Sequence, residues 1–332
     1  MAVAADAKAG RVDGGAVGDV PAAVLRWAER LDGRTVRLLL ADGDDPRAVV
    51  AAEWLAAHTP VRPRLLTAAA SAELAADPEV RAALGRQPTG AARDADEVLA
   101  LADDPLNVAA AAVVADHADA CVAGATRSTP DVIRAGIKVL GLRPGVTTVS
   151  SSFLMVMPDG HCLAYGDCGV LPHPDAGQLA DVALATAQTF SELVGSEPVV
   201  AMLSFSTLGS AEHAEVDRVR AALDLVRTAD PALRVDGELQ FDAAVVESVA
   251  RLKAPASPVA GHANVLVFPD LAAGNIGYKI TERFGGATAI GPILQGLAAP
   301  FHDLSRGCAA GDIVAAGLLA AVQVHEQSGS AS

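Results

Sequence analysis

Short aliphatic runs alternate with helix-like segments along the first half of this chain, and this alternation constrains the possible folds more than any other feature. Residues 36–40 are a run of valine and leucine broken by one arginine, a turn rich in Gly and Asp follows, and Pro46 opens a helical pattern. Residues 61–67 and 120–123 predict two more strands. Strands separated by helices favour a mostly parallel sheet covered by helices on both faces.

The middle of the chain departs from this alternation. Residues 147–156 and 161–166 are two β-rich runs joined by a Pro-Asp-Gly turn, which predicts an antiparallel hairpin. A long helical pattern follows. Its buried face is predicted to carry Leu179, Val182, Ala183, Phe190 and Leu193.

A length of 332 residues exceeds that of a typical domain, so we interpret the change of pattern as a domain boundary. We predict a first α/β domain formed by residues 1–148 and 297–332, and a second α/β domain formed by residues 149–296. The ends of the first domain, residues 1–16 and 326–332, are predicted to be disordered.

The composition argues against several functional classes. A formal net charge of −15 argues against nucleic acid or an anionic membrane as a partner. The cysteines show neither CxxC nor Cys/His ligand spacing, so we predict no metal site and no disulfide framework. No apolar run reaches the about 18–20 residues of a membrane helix, and the first residues lack an apolar signal-peptide core. A soluble, cytoplasmic protein is expected.

The stretch APFHDLSRGCAAGDIV, residues 299–314, concentrates polar side chains in an otherwise aliphatic region. It allows two interpretations. In the first, Asp303 and Ser305 shape a turn, Asp312 complements the dipole of a following helix, and Arg306 is a surface residue. In the second, Ser305 donates to a reacting oxygen, Arg306 grips a phosphate and Asp312 accepts a proton.

The stretch AGATRSTPDVIRAG, residues 123–136, places hydroxyl groups between a predicted strand and a helix. Thr129 is predicted to cap that helix and Pro130 to occupy its first position. Arg127 and Arg134 favour an anion site at the carboxyl end of the strand. An ordinary capped helix is the alternative interpretation.

The stretch FPDLAAGNIGYKITERFGG, residues 268–286, holds Tyr278, Lys279 and Arg283 close to several glycines. Lys279 and Arg283 are four residues apart and share a helical face, which is typical of a solvated surface. The glycines favour instead a backbone that fits closely around another group. From the residues alone, the chain is a two-domain α/β protein with an anion site.

Four stretches carry a family resemblance: VDGELQFDAAV, NVLVFPDLAAGNIGYKITERF, IGPILQGLAAPFHDLSRGCAAGDIV and YGDCGVLPHPDAGQLADVA. They resemble the phosphate acetyltransferases of the phosphate acetyl/butyryl transferase family. The resemblance is dense from about residue 121 to residue 323, and it is weaker before residue 115. The block that contains DLSRG and DIV is its most specific part.

The resemblance implies a two-domain, three-layer αβα fold with the architecture of the isocitrate and isopropylmalate dehydrogenases. It also implies an active site in an interdomain cleft and a homodimer. The implied reaction is reversible transfer of an acetyl group between CoA and inorganic phosphate, by direct attack of the CoA thiolate in a ternary complex. CoA and acetyl phosphate or phosphate are then the partners, and no metal or other cofactor is required.

The resemblance also assigns residues to roles. The catalytic residues correspond to Ser305, which would stabilise the oxyanion, Arg306, which would hold phosphate, and Asp312, which would be the base for the CoA thiol. The substrate-binding residues are assigned as Ser128, Thr129, Arg134, Tyr278, Lys279 and Arg283.

One segment departs from the family pattern. Relatives carry a basic segment before the Asp-Pro pair that is here Asp104-Pro105, and this chain offers only Arg86 and Arg93 as candidates for its contact with CoA. Butyryl or another short-acyl transfer remains an alternative activity. A non-catalytic domain that senses acetyl-CoA is an alternative of a different class, and the eroded basic segment favours it.

Overall fold

The computed structural model describes residues 11–13 and 17–330. The chain divides into two compact units. The central unit is the continuous segment 146–295, and the discontinuous unit contains the described residues up to 145 together with those from 296 onward. The predicted boundaries, after residues 148 and 296, lie within a few residues of this division.

Helices and strands alternate along most of the chain. The discontinuous unit begins with β1 (Arg11–Asp13), β2 (Asp19–Pro21), α1 (Ala22–Arg30), β3 (Val36–Leu40), α2 (Pro46–His58), β4 (Val61–Leu65), α3 (Ala68–Ala76), α4 (Pro78–Leu84), α5 (Ala95–Ala102), α6 (Pro105–Val114), β5 (Ala120–Ala123) and α7 (Thr129–Ala135), which continues into a π-helical turn (Gly136–Leu140). The central unit holds β6 (Ser150–Val156), β7 (Cys162–Gly166), α8 (Ala176–Val194), β8 (Val199–Leu203), α9 (Ala214–Ala229), β9 (Arg234–Leu239), α10 (Phe241–Val245), α11 (Glu247–Lys253), β10 (Val265–Val267), α12 (Leu271–Arg283) and β11 (Thr288–Gln295). The chain then returns to the discontinuous unit with β12 (Phe301–Asp303) and α13 (Ala310–Ser330).

The main sheet of the discontinuous unit has the strand order β12-β5-β3-β4, and all its neighbours are parallel. The strands predicted at residues 36–40 and 120–123 are confirmed with these bounds. Because the strands are parallel, the loops after β3, β5 and β12 all leave from the same edge of the sheet. This edge gathers the polar stretches that the sequence places after different strands.

Aspartates start several of the early helices of the discontinuous unit. Asp45, Asp77 and Asp104 each precede a proline and accept hydrogen bonds from backbone N–H groups of the first turn. A carboxylate at this position satisfies donors that have no partner within the helix, and proline fits the first helical position. Part of the acidic excess of the chain is therefore used to begin helices.

The sheet of the central unit has the order β11-β6-β7-β10-β8-β9. The predicted hairpin is confirmed as the antiparallel pair β6–β7, and β11 also pairs with β6 in antiparallel fashion. The remaining strands are parallel. Helix α8 buries all the predicted apolar residues of its face, and the polar Thr186 on that face donates to the amide oxygen of Gln295 at 3.3 Å.

The prediction of disorder at the ends of the chain is only partly within the described residues. Residues 1–10, 14–16 and 331–332 lie outside them. The prediction is wrong for residues 11–13, which form β1 and pair with β2, and for residues 326–330, which extend α13. An ion pair of 2.7 Å between Arg30 and Glu326 joins this last helix to α1, and the polar composition of the tail does not reveal that contact. Among the helices of the described residues, each is too short or too polar to span a lipid bilayer.

A buried carboxylate organises the loop after β7 in the central unit. Asp167 is 3% exposed and accepts from the hydroxyl of Ser151 at 2.5 Å and from its backbone N–H at 3.1 Å. It also accepts from the backbone N–H groups of Gly169 at 3.0 Å, Val170 at 3.3 Å and Leu171 at 2.6 Å. Several buried donors thus depend on one side chain for their hydrogen bonds.

We expect Asp167→Ala to lower the free energy of unfolding by about 3 kcal/mol or more, because each buried donor without a partner costs about 1–3 kcal/mol. Urea unfolding followed by far-UV circular dichroism measures this loss. Asp159→Ala is the matched control, since Asp159 lies in the exposed turn of the preceding hairpin. A small loss for Asp167→Ala, similar to that of the control, would contradict the organising role of this carboxylate.

Candidate functional site

The stretch after β5 forms a capped helix at the carboxyl edge of the sheet. Ser128, rather than the predicted Thr129, is the N-cap of α7: its hydroxyl accepts from Asp131 N at 3.4 Å and donates to the Asp131 carboxylate at 2.6 Å. Both residues are good caps, so the sequence does not distinguish them. Pro130 is then the second helical residue. Arg134 is 67% exposed and pairs with Asp131 at 2.7 Å.

The hydroxyl of Thr129 serves a different partner. It donates to Oδ2 of Asp303, the last residue of β12. Asp303 is 4% exposed, and its other oxygen, Oδ1, has no hydrogen-bond partner within the described residues. Burial raises the pKa of Asp303 to about 6, although the bond from Thr129 opposes this rise. The first interpretation of this stretch had Asp303 shape a turn, whereas the structure places it as the buried last residue of β12.

A glycine makes room for this carboxyl group. Gly124 follows β5 with φ of +103°, a conformation that side-chain-bearing residues rarely adopt. A Cβ atom there would lie 2.3 Å from Asp303 Oδ1 and 2.7 Å from Leu304 N. The backbone after β5 and the end of β12 can therefore approach each other only because residue 124 is glycine.

A second aspartate fixes the loop between Gly124 and α7. Asp42, which follows β3, is buried and accepts from Ala125 N at 2.9 Å and from Thr126 N at 3.1 Å. The hydroxyl of Thr126 also donates to it. The Asp-rich turn after β3 carries no predicted role, although its position after a buried strand is a usable signal for one.

Arg47 joins the loops of three parallel strands. It lies in the first turn of α2 and donates twice to its neighbour Asp45, at 2.9 and 2.7 Å. The same guanidinium donates to the backbone oxygen of Ala125 at 2.9 Å. It also donates at 2.9 Å to the backbone oxygens of Arg306 and of Cys308. The sequence does not single out Arg47, because an arginine in the first turn of a helix carries no distinctive pattern.

The candidate catalytic residues stand on the loop that Arg47 holds. Ser305 is exposed, and its hydroxyl oxygen accepts from Gly307 N at 3.3 Å, which leaves its hydrogen available to a ligand. Arg306 is exposed, and its guanidinium has no ion-pair or hydrogen-bond partner in residues 17–330. This loop therefore presents an uncommitted hydroxyl donor beside an uncommitted cation.

Asp312 lies in the first turn of α13 and is exposed. Its Oδ2 accepts from Ala309 N at 2.8 Å, which is one half of a capping box, since alanine has no side-chain acceptor for the reciprocal bond. The structural interpretation of this residue as a helix-start aspartate is thus realised in the fold. Oδ1 is not used in that bond, so the carboxylate keeps an oxygen that can accept a proton.

His302 does not activate Ser305. It is buried, and its Nε2 lies 2.7 Å from the side-chain oxygen of Gln323 on α13. Burial lowers the pKa of His302 to about 4, so the imidazole is neutral at pH 7. A serine nucleophile needs a base, and His302 is turned toward the helix instead.

The remaining predicted residues lie on α12 of the central unit. The ring of Tyr278 stacks on Phe153 with a centroid distance of 4.0 Å, and burial raises the pKa of Tyr278. Lys279 donates to the Asn275 side chain at 2.8 Å. Arg283 is 76% exposed and lies 3.4 Å from Glu282. Lys279 and Arg283 therefore present cations on the surface of α12, whereas Tyr278 packs against the core.

The glycines of α12 accommodate the protein itself. A Cβ at Gly274 would lie 2.2 Å from the backbone oxygen of Asp167, and a Cβ at Gly277 would lie 2.9 Å from the ring of Phe268. The atoms that Gly274 and Gly277 adjoin belong to the central unit itself, so the interpretation that this backbone fits closely around another bound group stays a prediction.

Comparison with known proteins identifies the family. The family model described as "Phosphate acetyl/butaryl transferase" matches residues 86–321. The chain belongs to this family. It is therefore a member of a family of acyltransferases.

Curated relatives cover most of the chain. The phosphate acetyltransferase of Paracoccus denitrificans is 45% identical over 309 residues, which is 86% of this chain and 94% of the relative. The phosphate acetyltransferase of Clostridium acetobutylicum is 49% identical over 227 residues, which is 67% of this chain and 68% of the relative.

Solved structures support the fold of the family. A phosphotransacetylase from Streptococcus pyogenes is 36% identical, with a TM-score of 0.85 over 92% of this chain and 98% of its own. A phosphotransacetylase from Staphylococcus aureus is 35% identical, with a TM-score of 0.82 over 91% of this chain and 98% of its own. The predicted α/β architecture is confirmed.

The segment that departs from the family pattern contains a structural arginine. The side chain of Arg93 is 1% exposed and donates to the backbone oxygens of Leu84 at 2.8 Å, of Arg86 and of Lys138. Its Nε lies 3.2 Å from Glu97. The donor groups of Arg93 face the protein, so its side chain is not free for the predicted role of contacting CoA. Arg86 is exposed and remains a candidate.

We expect the free energy of unfolding of the wild type, minus that of Asp303→Asn, to increase as the pH falls from 7 to 4. Folding raises the pKa of Asp303 from 3.8 to about 6, so the protonated group stabilises the fold and this contribution is lost as the pH rises through about 6. The difference in unfolding free energy between the two proteins should change by on the order of 2–3 kcal/mol. Urea unfolding at several pH values measures it.

Asp224→Asn serves as the control for this titration, because Asp224 is exposed in α9. The difference in unfolding free energy between the wild type and Asp224→Asn should stay constant across the same pH range. A difference between wild type and Asp303→Asn that stays constant from pH 7 to 4 would contradict the burial of an ionisable Asp303.

We expect Arg93→Met to lower the thermal midpoint by several degrees, because it removes hydrogen bonds from one charged, inward-facing guanidinium to three backbone oxygens, and a hydrogen bond to a charged group contributes about 1.5–3 kcal/mol. Arg86→Met is the matched control and should leave the midpoint nearly unchanged. Differential scanning calorimetry measures both. Equal midpoints for the two variants would show that Arg93 has no structural role.

Proposed function

We propose that this chain catalyses the reversible transfer of an acetyl group between CoA and inorganic phosphate. The observation that carries the proposal is the uncommitted pair of Ser305 hydroxyl and Arg306 guanidinium at the carboxyl end of β12, in a chain of the phosphate acetyl/butyryl transferase family. A planar guanidinium binds phosphate through two parallel hydrogen bonds. The relatives that are 45% and 49% identical are named for this activity.

The proposed chemistry is direct attack of the CoA thiolate on the acetyl carbonyl of acetyl phosphate. A thiol has a solution pKa near about 8.5, so it needs a base at neutral pH. Asp312 is that base in the proposal, because its Oδ2 is fixed by Ala309 N while Oδ1 is left to accept the proton. Because this hydrogen bond already fixes the orientation of the Asp312 carboxylate, less rotational entropy is lost when the carboxylate accepts the proton.

Ser305 and Arg306 complete the reaction. The tetrahedral intermediate carries negative charge on the former carbonyl oxygen, and the Ser305 hydroxyl can donate to that oxygen. Arg306 stabilises phosphate as it leaves with the electrons of the broken C–O bond. The neutral, inward-facing His302 argues against an acyl-serine intermediate. The chain's own residues supply each step of this scheme, so the proposal requires no metal or other cofactor.

The proposed substrate-binding residues differ in how easily a substrate anion can replace the contacts that they already make. Arg134, Lys279 and Arg283 are cations whose surface contacts a substrate anion can replace at small cost. Ser128 and Thr129 already donate their hydroxyl hydrogens to Asp131 and Asp303, so a phosphate must displace these bonds. Tyr278 contributes through its packed ring, which supports the start of the Lys279–Arg283 surface.

We further propose a homodimer and a cytoplasmic location. Helix α12 and the residue after it expose Ile276, Ile280 and Phe284, four residues apart on one face, with exposed fractions of 58%, 53% and 88%. A contiguous apolar stripe of this kind favours association with another surface. Light scattering coupled to size-exclusion chromatography tests the dimer, and Phe284→Lys should shift the distribution toward the monomer.

The activity is tested by incubating the purified protein with CoA and acetyl, propionyl or butyryl phosphate and following formation of the thioester by its ultraviolet absorbance. The proposal predicts the highest turnover with acetyl phosphate. Preference for butyryl phosphate would establish the alternative acyl specificity. Binding of acetyl-CoA without turnover of any acyl phosphate would favour the non-catalytic sensor.

We expect Asp312→Asn to lower kcat by about 10²–10⁴ with little change in the KM for CoA, because it keeps the shape and removes the proton acceptor. Partial recovery at higher pH is expected, since more thiolate is then present. Arg306→Ala should raise the KM for acetyl phosphate and also lower kcat, whereas Ser305→Ala should mainly lower kcat.

Asp96→Asn is the matched control for the Asp312 variant. Asp96 is likewise an aspartate in the first turn of a helix, α5, so its substitution reproduces any effect of the helix dipole. Its kinetics should equal those of the wild type. Near-normal turnover of Asp312→Asn at pH 7 would show that Asp312 is not the base and serves only at the start of α13.

A further inference from the structure

Three metal-ligating side chains meet at a place that the proposed reaction does not use. Asp77 and Glu79 lie at the start of α4, and His117 lies in the turn between α6 and β5. One ligand atom from each lies within 4.8 Å of the others. His117 precedes β5, whereas Ser128 follows it, so this cluster belongs to the amino edge of the sheet and the candidate site to the carboxyl edge.

The distances in the cluster fit ligands around a small cation, and they also lie within the range of ion pairs between the imidazole and each carboxylate. His117 Nε2 lies 3.5 Å from Asp77 Oδ1 and 3.3 Å from Glu79 Oε2. Hydrogen bonds between nitrogen and oxygen are shorter, at about 2.7–3.2 Å. Ligands placed about 2.0–2.2 Å from a tetrahedral Zn²⁺ are separated by about 3.3–3.5 Å.

The imidazole nitrogen that faces the carboxylates lacks a hydrogen-bond partner. His117 Nε2 is shielded from solvent, and it is one of the few buried polar atoms in the described residues that make no hydrogen bond. A buried polar atom of this kind carries a desolvation cost that a ligand would remove. Together with the ligand spacing, this atom points to a cation between the three side chains.

The surrounding chain holds the ligands in place. Oδ1 of Asp77 accepts from the backbone N–H groups of Glu79 at 2.8 Å and Val80 at 3.2 Å, which fixes the orientation of this carboxylate at the start of α4. His117 lies between Asp116 and Asp119, and Arg37 pairs with both at 2.5 Å. These contacts fix the two backbone segments that carry the ligands.

We propose that Asp77, Glu79 and His117 form a structural Zn²⁺ site in the discontinuous unit. An imidazole ligand favours zinc over Mg²⁺ or Ca²⁺, which prefer oxygen ligands only. Glu79 is exposed, so water can occupy the fourth position. The ion would connect the start of α4 to the turn that leads into β5. The spacing of residues 77, 79 and 117 matches no sequence motif, which explains why the sequence predicts no metal.

The test uses untagged full-length protein, treated with EDTA and transferred to a buffer that does not bind metal, near neutral pH. Isothermal titration with ZnCl₂ should give one ion per chain, and the thermal midpoint should rise with Zn²⁺ concentration because the ion binds the folded state. MgCl₂ at the same concentrations should produce a much smaller rise. Both readouts are independent of acetyl transfer, so they remain valid whatever the activity assay shows.

Three variants locate the site. His117→Gln and Glu79→Gln each remove one ligand, and Asp77→Ser removes a carboxylate while keeping a residue able to cap α4. Each should weaken Zn²⁺ binding by at least about tenfold, the smallest loss expected even for an outer contact. His161→Gln is the matched control, because His161 pairs with the single carboxylate of Asp159, and its variant should bind Zn²⁺ like the wild type.

Two results would overturn the proposal. One is an absence of any Zn²⁺-dependent rise in the thermal midpoint of the wild type. The other is an unchanged affinity in Glu79→Gln, whose exposed position makes it the variant most certain to fold. Binding lost in this variant and retained in His161→Gln supports the site.

Discussion

The hydrogen bonds of Arg47 are the constraint on which the candidate catalytic loop depends. Its guanidinium binds Asp45 of its own turn, the loop after β5 through Ala125, and the loop after β12 through Arg306 and Cys308. Hydrogen bonds from a charged donor are about twice as strong as neutral ones. Parallel strands bring these loops to one edge, and Arg47 fixes their relative positions there.

The same region shows how an acidic chain distributes its few cations. The guanidinium groups of Arg47 and Arg93 donate hydrogen bonds to backbone oxygens. Several aspartates accept hydrogen bonds at the start of helices. Arg306 is different because its guanidinium is not committed within the described residues. An anion that approaches this edge therefore finds a cation free to bind it, beside carboxylates that already have partners.

Much of the fold follows from the sequence, because burial and turn chemistry leave local patterns. The strands at residues 36–40 and 120–123, the hairpin after residue 149 and the buried face of α8 are all visible as runs or periods. The predicted N-cap of α7 is one residue away from the observed one, since adjacent serine and threonine offer the same chemistry. The helical tail is not predictable from its polar composition, because its ion pair involves a residue far away in the chain.

The site is predictable to a smaller extent. Ser305, Arg306 and Asp312 stand out because they lie within one short segment. Asp42, Arg47 and Asp303 do not stand out as a group, because only the parallel sheet brings residues 42, 47 and 303 together. Arg93 resembles a ligand contact for the same reason: sequence shows that an arginine is present, and only the fold shows that its donors face inward.

The interruption of the discontinuous unit has a consequence for how the protein is made. The central unit is one continuous segment, so it can fold on the ribosome as soon as residue 295 has emerged. The other unit must wait, with β5 lacking its neighbour β12 and α13 still to be synthesised. Ser305, Arg306 and Asp312 are all encoded in that last stretch. A nascent chain thus acquires its candidate catalytic residues only at the moment when its second core can close.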